Sequence, residues 1–197
     1  MATQLADFTQ NQVLSDLSQW SQQGLPLVPV AINAAPVEFL RDDYAERLLS
    51  RMARYNVAPH WIEVEITEHM LADRGAAFVV RAAQQLKAAG VRIALDDFGT
   101  GHSSFTHLRD SPVHALKIDC EFVHRMEQER TIYAIVQAIA QLGPNLGLDV
   151  MAEGVETATH RRMLLEAGCT IGQGFLYSEA LCSEEAAERM RRTPAVI

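Results

Sequence analysis

From Leu27 onward the hydrophobic and polar positions follow two alternating regimes. Short β-rich runs give way to longer stretches whose apolar residues recur at helical spacing, the pattern of repeated βα units around a parallel sheet. The predicted strands are Leu27–Asn33, Trp61–Thr67, Val91–Asp97, Ala115–Asp119, Leu148–Glu153 and Thr170–Phe175. Helical stripes are formed by Val13, Leu14, Leu17 and Trp20, by Phe78, Ala82 and Leu86, and by Ile132, Ile135, Val136 and Ile139. Gly90 and Gly168 follow helical stretches directly, where a left-handed stop turns the chain into the next strand. No low-complexity tract, charge block or Gly/Ser linker divides the chain, so residues 1–197 are expected to form one domain.

Parallel strands with a helix between each pair build either an open doubly wound sheet or a closed barrel. The strand ends favour the barrel. Asn33, Glu65 with Glu68, Asp96 with Asp97, Asp119, Glu153 and Gln173 fall at or just beyond the C-terminal ends of different strands. Barrel enzymes assemble their sites from such a polar rim, whereas an open sheet gathers ligands near one switch point.

The 197-residue chain is 48% hydrophobic, enough for one sizeable core. Its formal net charge of -8 disfavours sequence-independent binding to long nucleic acid. A small phosphate ligand stays compatible with that charge, because metal ions held by carboxylates invert the local field. Cys120, Cys169 and Cys182 are widely spaced and odd in number, which suits reduced thiols. With no apolar run of membrane-spanning length, the chain is expected to be cytoplasmic.

The rim is dominated by carboxylates, with an amide and one lysine, and hard oxygen donors select magnesium, manganese or calcium. Adjacent Asp96 and Asp97 suit two cations, one held directly and one bridged, and paired ions suit in-line attack on a phosphodiester. Lys117 lies two residues before Asp119, on the same strand face, where its ammonium would hold water or offset growing negative charge. The small-residue run from Phe98 to Ser104 would place backbone donors nearby. Each feature also has a plainer reading. A lone acidic residue at a strand end is usually a helix N-cap or a solvated loop residue. Glu63 reads as a solvent-facing strand residue, and Lys117 taken alone as a surface or salt-bridged lysine. His60, His69, His102, His107, His114, His124 and His160 lack metal-ligand spacing and read as loop or helix-surface residues.

Six segments taken together resemble one family. Asn33 in VAINAAP, EVEITE from Glu63, DDFGTGHSS from Asp96, LKID from Leu116, AEGVET from Ala152 and QGFLYS from Gln173 occur in the order of bacterial EAL domains. The resemblance runs from about Val13 to Leu181 and implies a TIM-like (βα) barrel that hydrolyses cyclic di-GMP to linear pGpG with magnesium or manganese. By motif it assigns Asn33, Glu65, Asp96 and Asp97 to a two-metal site, with Asp96 bridging. It makes Lys117 the residue that positions or activates water, and Glu153 a general base or second-metal ligand. Glu156 and Gln173 would line the guanine and phosphate region, and Glu68 would anchor the DDFG loop, a segment linked in this family to metal binding and dimerisation.

The resemblance also carries departures. The first residues, Ala6 to Gln10, correspond to the family's second helix, so the barrel is expected to be incomplete, lacking its first two strands and one metal-binding glutamate. Smaller ones are His102 for tyrosine, His114 for aspartate and Cys120 for arginine. Two edge strands, Leu27–Asn33 and Thr170–Phe175, would then be open to pairing with a second copy or another chain. Three readings follow: a phosphodiesterase module of impaired activity, a non-catalytic module that binds cyclic di-GMP or a protein partner, or an enzyme whose missing segment precedes Met1 in the natural gene.

Overall fold

The computed structural model describes residues 2–39, 42–72, 75–99 and 111–192. Within them the strands are β1 (Val30–Asn33), β2 (Ile62–Thr67), β3 (Arg92–Phe98), β4 (Ala115–Ile118), β5 (Asp149–Ala152) and β6 (Ile171–Gly172). The helices are α1 (Ala2–Gln22), α2 (Tyr44–Tyr55), α3 (Glu68–Ala72), α4 (Ala76–Ala88), α5 (Cys120–Arg125), α6 (Arg130–Asn145), α7 (Ala158–Ala167) and α8 (Ser183–Arg192). The strand order is β1-β2-β3-β4-β5-β6, without a reversal. An open doubly wound sheet reverses its order at a switch point, so this sequential parallel order is that of a (βα) barrel. All six predicted strands are present. Most of their ends are trimmed, while β3 runs one residue further, to Phe98; Pro29 has no N–H to donate, and β1 begins at the next residue.

The chain divides into two compact units. The first comprises Met1–Ile66, Arg74–Ile93 and Ala180–Ile197. There α1 packs on α2 and α2 on α4, around Leu14, Leu17, Leu48, Met52, Ile62, Val64, Val79 and Leu86, all buried. The apolar stripe of α4 is Val79, Ala82, Ala83 and Leu86; Ala82 and Leu86 are buried as predicted, and Phe78 is not. Phe78 is 41% exposed and lies under the Arg81 guanidinium, 5.4 Å from its ring centre. A one-residue rotation of the stripe explains the miss, since Phe78 and Val79 both satisfy helical spacing to Leu86.

The second unit comprises Thr67–Asp73 and Ala94–Glu179. Every residue of β4 is buried, as expected for a parallel strand covered on both faces. Helix α6 packs on β4, β5 and α7, using Ile132, Val136 and Ile139. Ile135, predicted in the same stripe, stays 37% exposed at its edge. Gly168 ends α7 at φ +97°, where its N–H meets the Leu164 and Leu165 carbonyls, and Gly90 turns at φ +93° after α4.

Candidate active site

In the second unit the site begins with a fault in a β-ladder. Leu95 lies opposite Leu116 and Phe98 opposite Ile118, with the register breaking between. Asp96 and Asp97 therefore stand against Lys117 alone. Neighbours on a regular strand point to opposite faces, so two adjacent aspartates serve one site only if the backbone is re-aimed. The bulge does this, and Asp97 takes φ +55°, a left-handed conformation uncommon outside glycine and most tolerated by Asn and Asp. Its N–H donates to Asp96 Oδ1 at 3.0 Å.

Lys117 sits on β4 opposite Met151 and is 3% exposed. Its Nζ lies 2.5 Å from Glu153 Oε1 and 3.3 Å from Asp96 Oδ1. A buried ammonium needs such partners to remain charged, and here they are two of the predicted catalytic and metal-binding carboxylates. Glu153 is itself held at the end of β5 by its N–H to the Ile118 carbonyl, 3.0 Å. Asp119, one residue beyond β4, takes the plainer role of helix N-cap, accepting the Glu121 N–H at 2.8 Å. Burial, then the Asp96 and Asp119 carboxylates, push the Asp97 carboxyl above its usual range.

Glu68 opens α3 and is 2% exposed, and its Oε2 accepts the Gly99 N–H at 3.0 Å. The start of the DDFG loop is thereby tied to the end of β2. Residues 100–104 of the predicted small-residue loop, His102 among them, and His107 lie outside the described residues.

The AEGVET segment is fixed mainly through its backbone. Gln173 donates its N–H to the Ala152 carbonyl at 2.8 Å and accepts the Val155 N–H at 3.0 Å, so Gln173 and the loop after β5 are locked together. Glu156 is exposed; its carboxylate lies 3.4 Å from His124 Nε2 and its N–H donates to His160 Nδ1 at 3.3 Å. His160 corrects the helix-surface reading of the histidines, being 6% exposed on the inner face of α7. Nothing in the spacing of the sequence brings it to His124, because the two lie on different helices.

In the first unit, Asn33 and Glu65 are register partners on β1 and β2, and the Ala34 N–H donates to the Glu65 carbonyl at 2.9 Å. Asn33 is exposed and Glu65 is 5% exposed. Glu63 is not solvent-facing: it is 8% exposed and accepts from Arg92 Nε at 3.1 Å. The turn after Asn33 rests on a carboxylate that the sequence did not single out. Glu38 accepts the Ala35 N–H at 2.8 Å and the Gln10 amide at 2.9 Å, and burial raises its pKa. Among the described residues no three His, Cys, Asp or Glu side chains converge on one point in metal-ligand geometry. The donor set is nevertheless that of a hard cation, and the mutual crowding of Asp96, Asp97 and Asp119 is what a divalent ion relieves.

The model of the EAL domain matches residues 1–180, a span that includes residues of both units. A cyclic di-GMP phosphodiesterase of Pseudomonas aeruginosa, PA2567, is 32% identical over 188 residues, 95% of this chain and 32% of its own length. The MucR phosphodiesterase of the same organism, solved as a cyclic-di-GMP complex, is 30% identical with a TM-score of 0.88, covering 94% of this chain and 74% of that one. BlrP1 of Klebsiella pneumoniae, solved with manganese and cyclic di-GMP, is 26% identical with a TM-score of 0.79, covering 89% of this chain and 44% of that one. The chain spans about a fifth to a third of the length of the curated relatives it matches. No described helix is long and apolar enough to cross a membrane. With the motifs in order, the sequential parallel strands and the family match along nearly its whole length, the chain belongs to the EAL domain family.

Proposed function

We propose that this module hydrolyses cyclic di-GMP to the linear dinucleotide with magnesium or manganese, in the cytoplasm. The observation that carries the reading is Lys117, buried between Asp96 and Glu153 beside the Asp96–Asp97 bulge. Asn33, Glu65, Asp96 and Asp97 would hold the ions. For Asn33 and Glu65 the reading rests on their motifs, and for the aspartates also on the crowding described above. Divalent ions held by these residues would supply Lewis acidity, lowering the pKa of a water and offsetting the charge of the phosphodiester.

The chain's own groups supply the rest. Lys117 Nζ holds the attacking water or stabilises charge developing on phosphate, and the carboxylates of Asp96 and Glu153 hold it in position. Glu153, whose Oε1 lies 2.5 Å from Nζ, would take the water's proton. Glu68 holds the DDFG loop through Gly99, and Glu156 and Gln173 orient the ligand beside the β5 loop. The test is metal-dependent turnover in the wild type set against Asp96→Ala.

Strand pairing belongs to the same reading. Among the described residues β1 and β6 end the strand order, each with a sheet neighbour on one side only, and Ile171 on β6 is 42% exposed. An edge so placed offers unpaired backbone groups to a second copy of the chain. Sedimentation that shows a concentration-dependent dimer supports this, and a monodisperse monomer at all concentrations counts against it.

A further inference from the structure

The loop between β5 and α7 is gripped by two histidines that no motif of the reaction uses. His124, on α5, points Nε2 at two acceptors: the Gly154 carbonyl at 3.2 Å and the Glu156 carboxylate at 3.4 Å. Both partners accept, so Nε2 carries the proton. His160, on α7, does the reverse. Its Nδ1 accepts the Glu156 N–H at 3.3 Å, which places its ring proton on Nε2, 3.5 Å from Glu127 Oε1. The two imidazoles stack with centres 5.8 Å apart. Glu127 also accepts from the Thr157 hydroxyl at 3.2 Å, and Thr157 caps α7 by accepting the His160 N–H at 3.0 Å.

Glu156 is therefore held at both ends, its amide by His160 and its carboxylate by His124. Gly154 makes this approach possible. It adopts φ +64°, and a Cβ there would lie 2.6 Å from Cys120 Cβ and 3.0 Å from His124 Nε2. Cys120 and His124 are one helical turn apart on α5, so a single face of that helix seats the loop.

We propose that His124 and His160 are positioning residues that fix Glu156 for recognition of the purine base of the ligand. The proposal deepens the reading of Glu156 as a group lining the guanine region, and it rests on that reading. A carboxylate binds a base edge carrying N–H donors more tightly when it is aimed before binding, since an exposed, freely rotating Glu loses rotamer freedom on each encounter. Held by His124, Glu156 keeps its second oxygen for the base. The rings of His124 and His160 contact Gly154, Glu156, Glu127 and each other, none of them a residue assigned to the metals or to the attacking water, so their loss should act on KM rather than on kcat.

Two measurements on the full chain separate the clamp from the function it serves. The first is hydrogen exchange at the Glu156 amide in the ligand-free protein. His160→Ala should lower its protection at least about tenfold, whereas His160→Asn, whose amide oxygen stands in for Nδ1, should preserve it. The second is initial-rate hydrolysis of cyclic di-GMP. His124→Ala, at an exposed position, should raise KM about tenfold with kcat within about twofold, and His124→Gln, which keeps a donor near the Nε2 position, should restore most of the loss. Unchanged exchange in His160→Ala, or an unchanged KM in His124→Ala, overturns the proposal. Exchange that follows the expected pattern in a wild-type chain that neither binds nor hydrolyses cyclic di-GMP leaves the clamp standing and overturns the phosphodiesterase reading instead.

Discussion

Lys117 on β4 and Glu153, one residue beyond β5, meet at 2.5 Å, and Asp96 lies 3.3 Å from the same ammonium. A buried lysine between two carboxylates is both a structural link and a chemical one, and the two roles separate on substitution. Lys117→Met should leave Asp96 and Glu153 repelling each other with their shared cation gone, and cost about 3 kcal/mol of stability in EDTA. Magnesium should return part of that loss by restoring positive charge near Asp96, while turnover stays at least about a hundredfold down. Thermal melts with and without magnesium, beside initial rates, check both halves. Equal destabilisation in both buffers would show that no ion binds beside Asp96.

Glu68 is predicted to control metal affinity without being a ligand. Glu68→Ala removes the acceptor of the Gly99 N–H and should cost about 1–3 kcal/mol. Because Gly99 lies two residues after Asp97, the variant should also bind manganese more weakly, read by titration. Glu68→Gln retains an acceptor and should fall between the variant and the wild type.

Helix α6 approaches β5 so closely that a methyl group does not fit. A Cβ on Gly143 would lie 2.1 Å from Val150 Cγ2. Gly143→Ala should therefore destabilise by about 1–3 kcal/mol despite the better helix propensity of alanine. Val150→Ala should relieve part of that penalty in the double variant, giving a coupling energy above about 0.5 kcal/mol in denaturant unfolding. Additive losses would place the two residues out of contact.

The buried Glu38 carboxyl gives a pH dependence with a defined sign. Its pKa is raised above the ordinary 4.5, chiefly by burial, so the folded state favours the protonated form. Its contribution is fully present below pH 4.5 and declines as pH rises through the raised value. The stability of the wild type relative to Glu38→Gln should thus fall on going from pH 4 toward neutrality. Denaturant midpoints across that range provide the check, and a difference that grows with pH has the wrong sign.

Much of this was legible in the sequence, for a reason that also marks the limits. All six strands are marked by short β-rich runs between helical stretches, and the carboxylates fall at strand ends because that is where a parallel βα fold exposes side chains. Helix faces were read less well where two adjacent apolar residues both fit the period, as at Phe78 and Val79. Periodicity says nothing of a bulge, so the break in register between Leu95 and Phe98, where Asp96 and Asp97 sit, has no signal in the sequence. Glu63 and His160 were misplaced because burial of a polar side chain depends on a partner from elsewhere in the chain, Arg92 for one and the Glu156 amide for the other. The Glu38 support beneath the turn after Asn33 was missed for the same reason, its second partner being Gln10 on α1.

The central claim is tested most directly by incubating the purified chain with cyclic di-GMP in magnesium or manganese and measuring the linear dinucleotide formed, with Asp96→Ala in parallel. The account predicts turnover that requires the ion, stops in EDTA and is lost in the variant. Binding of cyclic di-GMP by the wild type with no turnover in either metal would contradict it and would make the chain a non-catalytic module that binds the same ligand.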